Sequence, residues 1–312
     1  MCQRLSRKQG CTIAAVEMVT AALLTVILVV PKQKQGLHTA FYFIISILIS
    51  DAIYIFSFLK KLKAGRSTQS CSDLMFFYLI LMLCWEILST VLAVSNPVLV
   101  PTPENVFYSF FKLWRQMLLN CAYSFAILIP GYFAGMIFAV FLGLLAGWIP
   151  RFGNFFYPIA NLMAPIPAVV FSPYLVAVMP SFRSASVLVI FLGVFWPNFL
   201  SSVNRVKNVD CRILDNAKIL GLGRSEMVFS ILLPAILPGI VSSLRVSLTS
   251  SLIMLNFAEL MGATHGLGYF VQNSITYANY THAVAGILCI ALVVTLLNKI
   301  TAGIETKAIP WR

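Results

Sequence analysis

Residues 121–148 read CAYSFAILIPGYFAGMIFAVFLGLLAGW, twenty-eight positions without a single Asp, Glu, Lys or Arg. About 20 apolar residues cross the hydrocarbon core of a bilayer, so this run exceeds one crossing and part of it is expected to tilt or protrude. A soluble fold has no use for such a segment. The rest of the chain agrees: 60% of its 312 residues are hydrophobic and 10% are charged, against roughly 25% charged in a soluble domain. Mean hydropathy is +0.90. Ten acidic residues cannot furnish the surface of a soluble protein this long, and the shortfall disappears if lipid covers most of the outside.

Seven further apolar segments flank this run, at 12–30, 37–59, 74–94, 156–179, 184–203, 231–256 and 281–303. The fold class predicted is therefore all-α, a polytopic membrane bundle of about eight transmembrane helices. Pro130, Pro165 and Pro167 interrupt otherwise good helices, which a membrane bundle tolerates because neighbouring groups satisfy the freed backbone. The basic start and apolar run of residues 1–30 resemble a signal peptide. No small-residue cleavage site follows, and a retained first helix is the reading adopted.

The net charge of +12 would suggest nucleic acid in a soluble protein; here its distribution along the spans explains it. With the N-terminus in the cytoplasm and eight alternating spans, the inside segments hold Arg4, Arg7, Lys8, Lys60, Lys61, Lys63, Arg66, Arg151, Arg205, Lys207, Arg212, Lys218, Arg224, Lys299, Lys307 and Arg312. The outside segments hold Lys32, Lys34, Lys112, Arg115 and Arg183. Sixteen against five satisfies the positive-inside rule, and both termini are expected in the cytoplasm. The seven cysteines show no CxxC and no metal-ligand rhythm.

Two stretches are neither span nor simple turn. In 95–120, a proline-rich piece leads into Val106, Phe107, Phe110, Phe111 and Trp114, spaced for one face of an interfacial helix. The other is the hydrophilic loop 204–230. Asp210 is placed to cap a short helix, and Gly221 suits the left-handed turn beyond a helix end. Ile213, Leu214, Ala217 and Leu220 share one face, with Arg212, Asp215 and Lys218 on another. An amphipathic helix of this kind can dock in a protein groove, lie on a membrane, or pack on its own bundle.

The spacing in that loop resembles the EAA loop of ABC importer permeases: Glu-Ala-Ala, three residues, Gly, nine residues, Ile, one residue, Leu-Pro. Asp215, Asn216 and Ala217 stand at the first three positions, then Gly221, Ile231, Leu233 and Pro234 at the stated intervals. Asp replaces Glu with the charge kept; Asn216 replaces a small Ala. VPTPENV, LLPAILPGIVSSLRVSL and AELMGATHGLGYFV resemble segments of the nitrate/sulfonate/taurine branch, so the similarity covers about 95–300. The resemblance makes 74–94 the usual first helix. It implies a six-helix importer-permease domain, 74–312, preceded by an extension, 1–73, with two further helices.

What the resemblance implies functionally is a permease that moves a small solute into the cytoplasm, a nitrate-, sulfonate- or taurine-like anion. Some relatives carry vitamin precursors such as thiamine pyrimidines or riboflavin. The implied partners are a cytoplasmic ATPase dimer, a second permease copy, an extracytoplasmic binding protein and membrane lipid, with no nucleic acid, in a plasma or inner membrane. Arg212, Asp215, Asn216, Ala217 and Gly221 would form or cap the coupling helix, and Ile231, Leu233 and Pro234 would mark the chain's return to the membrane. There is no GxxxxGK[ST] phosphate loop, so ATP hydrolysis would fall to a partner; no catalytic residue, cofactor or metal is expected.

Arg245, Ser247, Ser251 and Glu259 are candidates for the translocation pathway. The serines equally suit close helix packing, and Glu259 a bundle-stabilising role. Glu17, Asp51 and Glu86 fall within or near spans, where ionisable groups are costly and often functional. A secondary carrier would show internal repeats and broken midplane helices, and a membrane enzyme would need clustered acids or histidines. The sequence offers neither a convincing repeat nor such a cluster.

Overall fold

The computed structural model describes residues 7–29, 38–64, 67–91 and 99–308. The expectations that fall on Arg4, Lys32, Lys34, Arg66, Arg312 and the prolyl stretch 95–98 lie outside the described residues. Those described are mostly helical, with no strand among them. They group into two compact units, 1–115 with 273–287, and 116–272 with 288–312.

In the first unit, α1 (Arg7–Val29) packs on α3 (Gln69–Glu86), and α2 (His38–Lys63) packs on α4 (Pro103–Lys112). The end of α3 continues as a π-helical turn, Ile87–Val91. Val16, Leu23 and Ile27 of α1 share one core with Phe43 and Ile47 of α2 and with Met75 and Leu79 of α3. The Tyr54 hydroxyl and Ser72 Oγ lie 2.9 Å apart within it, which satisfies two polar groups in an apolar setting. Glu86 is buried, and so is the Asp51 Oδ1 atom.

The five residues after Pro103 expected on one helix face are divided between two helices. Helix α4 stops at Lys112, Trp114 opens the next helix, and Val106, Glu104 and Ser109 are buried. The aromatic rings meet α2 instead: Phe107 lies 5.2 Å from Phe43, and Phe111 stacks on Tyr42 at 5.4 Å. Packing against another helix absorbed a spacing that, in isolation, also suits a membrane surface.

The second unit is built on α5 (Trp114–Trp148), α8 (Phe182–Lys207), α11 (Leu233–Leu260) and α13 (Tyr280–Ala308). Thirty-five residues make α5 about 52 Å long, longer than one straight crossing, as the charge-free run requires. Gly131, Gly135, Gly143 and Gly147 lie along its contact with α8. A Cβ at Gly131 would sit 2.8 Å from the Val187 carbonyl oxygen, and one at Gly143 would sit 2.9 Å from that of Phe199. Small residues let backbones approach in lipid, where no hydrophobic drive joins helices. Helix α8 also packs on α11, where buried Asn198 donates to Ser247 Oγ at 2.9 Å.

Among the described residues, six helices are long and apolar enough to cross a membrane. They match six of the eight apolar segments. The segment at 156–179 differs: it is α6 (Pro150–Met163) and a 3-10 turn (Ala168–Phe171) leading into α7 (Ser172–Val178), the two halves bent by 84°. Pro165 and Pro167 fall in the break. Proline has no N–H to continue a helix and disfavours helical backbone before it, so the bend sits where the prolines do. The first segment lies in α1 (Arg7–Val29).

Candidate functional site: the helical loop after α8

Helix α8 ends at Lys207, and the chain turns through Asn208 and Val209 into α9 (Cys211–Ile219). Asp210 caps α9 as its sequence position suggested, its Oδ1 accepting the Arg212 N–H at 2.9 Å. The far end closes at Gly221, whose φ is +71°. The Leu222 N–H reaches back to the Ala217 carbonyl at 3.4 Å, the six-to-one bond that a glycine-ended helix makes. The next helix starts three residues on. Glu226 Oε2 accepts the Gly223 N–H at 2.8 Å, a carboxylate reaching back across the first turn of α10 (Arg224–Glu226). A π-helical turn, Met227–Leu232, leads into α11.

These caps set how α9 is rotated. Ala217 is buried, and half-buried Leu214 and Leu222 pack on the same core, which includes Met227, Val228 and Leu232. The expected single apolar face is therefore divided. Leu214 and Ala217 turn towards the chain's own helices, whereas Ile213 and Leu220 face outward. Ile219, which sequence reasoning passed over, is 82% exposed and Leu220 is 75% exposed. Arg212, Asp215 and Asn216 are exposed beside them. Ile231 and Leu233 pack on the core formed with Ala217, and Pro234 lies in the first turn of α11.

The four residues considered for a pathway do not share one surface. Arg245 is exposed. Ser247 is bonded to Asn198. Ser251 is buried and donates to the Leu248 carbonyl at 2.7 Å. Glu259 is 1% exposed and held by residues far away in sequence. Ser124 Oγ donates to its Oε1 at 2.6 Å, and the Gly268 N–H donates to its Oε2 at 2.7 Å. Ser124 Oγ also accepts the Leu267 N–H at 2.9 Å, and Asn120 Oδ1 accepts the Gly266 N–H at 3.1 Å. Asn120 and Ser124 carry no local signal of this role, since their partners lie more than 130 positions on.

The model of the family described as "Binding-protein-dependent transport system inner membrane component" matches residues 135–308. The SsuC protein of Bacillus subtilis (strain 168), by name an aliphatic sulfonates transport permease, is 25% identical over 80% of this chain and 91% of its own length. The taurine transport system permease protein TauC of Escherichia coli (strain K12) is 27% identical over 74% of this chain and 86% of its own. The formylaminopyrimidine transport permease protein ThiX of Halalkalibacterium halodurans is 24% identical over 79% of this chain and 98% of its own.

Proposed function

The chain belongs to the family of binding-protein-dependent transport system inner membrane components, and from that premise we propose how it works. It is the membrane-spanning permease of an ABC importer, a multi-pass inner-membrane protein acting with an ATPase and a substrate-binding protein. Loop 204–230 is the coupling element. Its exposed Ile219 and Leu220, beside Arg212, Asp215 and Asn216, seat in a groove of the ATPase. Gly221 gives the sharp exit, and Pro234 marks the return to the bilayer. The observation that carries this reading is the presence of two bulky, largely exposed apolar side chains at the C-terminal end of a helix whose other face is already packed. Isolated exposed apolar residues are common, but an adjacent pair on a capped polar helix fits a protein contact.

The remaining features follow the same model. The first 73 residues are an extension and 74–312 the permease domain. Both termini lie in the cytoplasm, where the basic loops would then concentrate. A second copy of this chain completes the pathway and lipid covers the outer faces, while Arg245, Ser247, Ser251 and Glu259 belong to the moving helices that border the pathway. ATP is hydrolysed by the partner subunit. Because a ligand shifts an equilibrium only through its differential affinity for two states, ATP binding and loaded binding protein together select the outward-facing form.

The cargo is a small anion of the nitrate, sulfonate or taurine type; the names of SsuC and TauC support that class. ThiX, matched along nearly its whole length, keeps a vitamin precursor as the second reading. Two measurements test this. Co-purification of the ATPase with the native chain, lost on Ile219→Asp and Leu220→Asp, tests the coupling loop; retention in both variants refutes that assignment, and failure of the native chain to bring down any ATPase favours a secondary carrier. Competition of labelled taurine uptake by alkanesulfonates, nitrate and a formylaminopyrimidine then separates the two substrate classes.

A further inference from the structure

Helix α11 is one end of a long continuous element. With the π-helical turn before it, the helix runs from Met227 to Leu260, 34 residues, about 51 Å of axis. One end of this rod emerges from loop 204–230. The other ends at Glu259, one residue before α11 stops. A single rod thus joins the loop to the hairpin formed by residues 261–266 and α12 (Leu267–Thr276).

At that remote end the carboxylate fastens three elements together. It holds α5 through Ser124, and it holds the start of α12 through the backbone N–H groups of Gly268 and Tyr269. Ser124 and Asn120 of α5 in turn take the N–H groups of Leu267 and Gly266. Four N–H groups at a helix start would otherwise be orphans, and here each has an acceptor. Space is equally exact. Gly266 has φ +125°, and a Cβ there would fall on the Glu259 carboxylate. A Cβ on Gly268 would lie 2.7 Å from the Asn256 carbonyl oxygen.

We infer that Glu259 is a positioning residue of the transport cycle: it bolts the remote end of the α11 rod to α5 and the α12 hairpin, so that displacement of the loop reaches the hairpin. This rests on the coupling-loop reading given above. The physical ground is that a buried carboxylate with satisfied donors resists partial displacement, because breaking its bonds leaves donors and charge unsatisfied in an apolar setting. The bolted elements therefore move together or not at all.

The test uses the chain reconstituted in vesicles with its ATPase and binding protein, with ATP hydrolysis and solute uptake measured in the same preparation. Glu259→Gln keeps the shape but brings an amide donor to a site whose neighbours are donors. Hydrolysis should stay within about twofold of wild type while uptake per ATP falls about tenfold, the scale of one lost charge-assisted hydrogen bond. Ser124→Ala should lower uptake per ATP in the same way, Ser124→Thr should restore it, and Glu259→Gln with Ser124→Ala should be less than additive. If hydrolysis and uptake fall in parallel with the amount of assembled complex, or if neither changes, Glu259 has no positioning role. Should Glu259→Gln not assemble, the Ser124 pair, which leaves the carboxylate in place, decides the question by the same criteria. If the wild-type chain recruits no ATPase, the coupling-loop reading falls first and this inference with it.

Discussion

Gly221 offers a graded test of the coupling loop, because the structure separates backbone strain from steric clash at this position. Its φ of +71° lies in the left-handed region, and a Cβ there would meet nothing within 4 Å. Any effect of substitution is therefore conformational. A residue with a Cβ pays about 1–2 kcal/mol to hold this backbone, with Asn largely spared because it visits the region readily. A cost of that size changes a population ratio by about 5- to 30-fold. The turn is exposed, so local opening of the C-terminal end of α9 relieves the strain and leaves the bundle intact. Affinity of the purified chain for its ATPase, titrated in detergent, should therefore fall in the order Gly221→Asn, Gly221→Ala, Gly221→Val. Asn should stay near wild type and Val should be weakest, since branching at Cβ disfavours positive φ further. The midpoint of thermal unfolding should barely move. If Val binds as tightly as Asn, the ATPase does not read the geometry of this turn.

Other positions give independent expectations. Gly143→Val puts a side chain against the Phe199 carbonyl and Ser202 Cβ; forcing α5 and α8 apart should destabilise the chain by about 1–3 kcal/mol, read by thermal unfolding in detergent. A Cβ at Gly239 would meet only the far end of the flexible Arg205 side chain, which can swing aside, so Gly239→Ala should leave thermal unfolding near wild type or raise stability by up to about 1 kcal/mol through the better helix propensity of Ala. Ser181 caps α8 by accepting the Ser184 N–H at 3.2 Å. Ser181→Ala should cost about 1 kcal/mol, again read by thermal unfolding, with Ser181→Asp near wild type.

What the sequence made legible was whatever depends on neighbours along the chain. The charge-free run at 121–148 announced a membrane helix; of the three prolines expected to interrupt helices, Pro165 and Pro167 fall in the break before α7, whereas Pro130 lies inside the continuous α5. Asp210 and Gly221 marked both ends of α9 because a cap is a local bond. What it hid depends on neighbours in space. Periodicity grouped Ile213, Leu214, Ala217 and Leu220, but which part of that stripe turns inward is fixed by Met227, Val228 and Leu232 across the turn. The aromatic spacing after Pro103 fits a membrane surface or another helix equally well, and only Phe43 and Tyr42 decide between them. Gly131, Gly135, Gly143 and Gly147 repeat at helical intervals in plain sight, yet small residues at such spacing identify a packing face without naming the helix that fills it.

The N-terminal pair carries the same argument one step further. Read as a string, residues 1–73 are an addition ahead of a six-helix domain. In the folded chain, Phe43 and Ile47 of α2 share a core with Leu79 of α3, and Tyr42 meets Tyr108 and Phe111 of α4. Helices that only lay in the bilayer beside the domain would present lipid-facing leucines throughout; these bury Phe43, Ile47, Leu23 and Ile27 almost completely. Association in lipid is driven by packing and polar contact, not by hiding apolar surface from water. The fitted rings and the Tyr54–Ser72 contact are therefore what fasten the pair to α3 and α4. An extension in sequence can thus be structural support for the helices it precedes, whatever further role it has acquired.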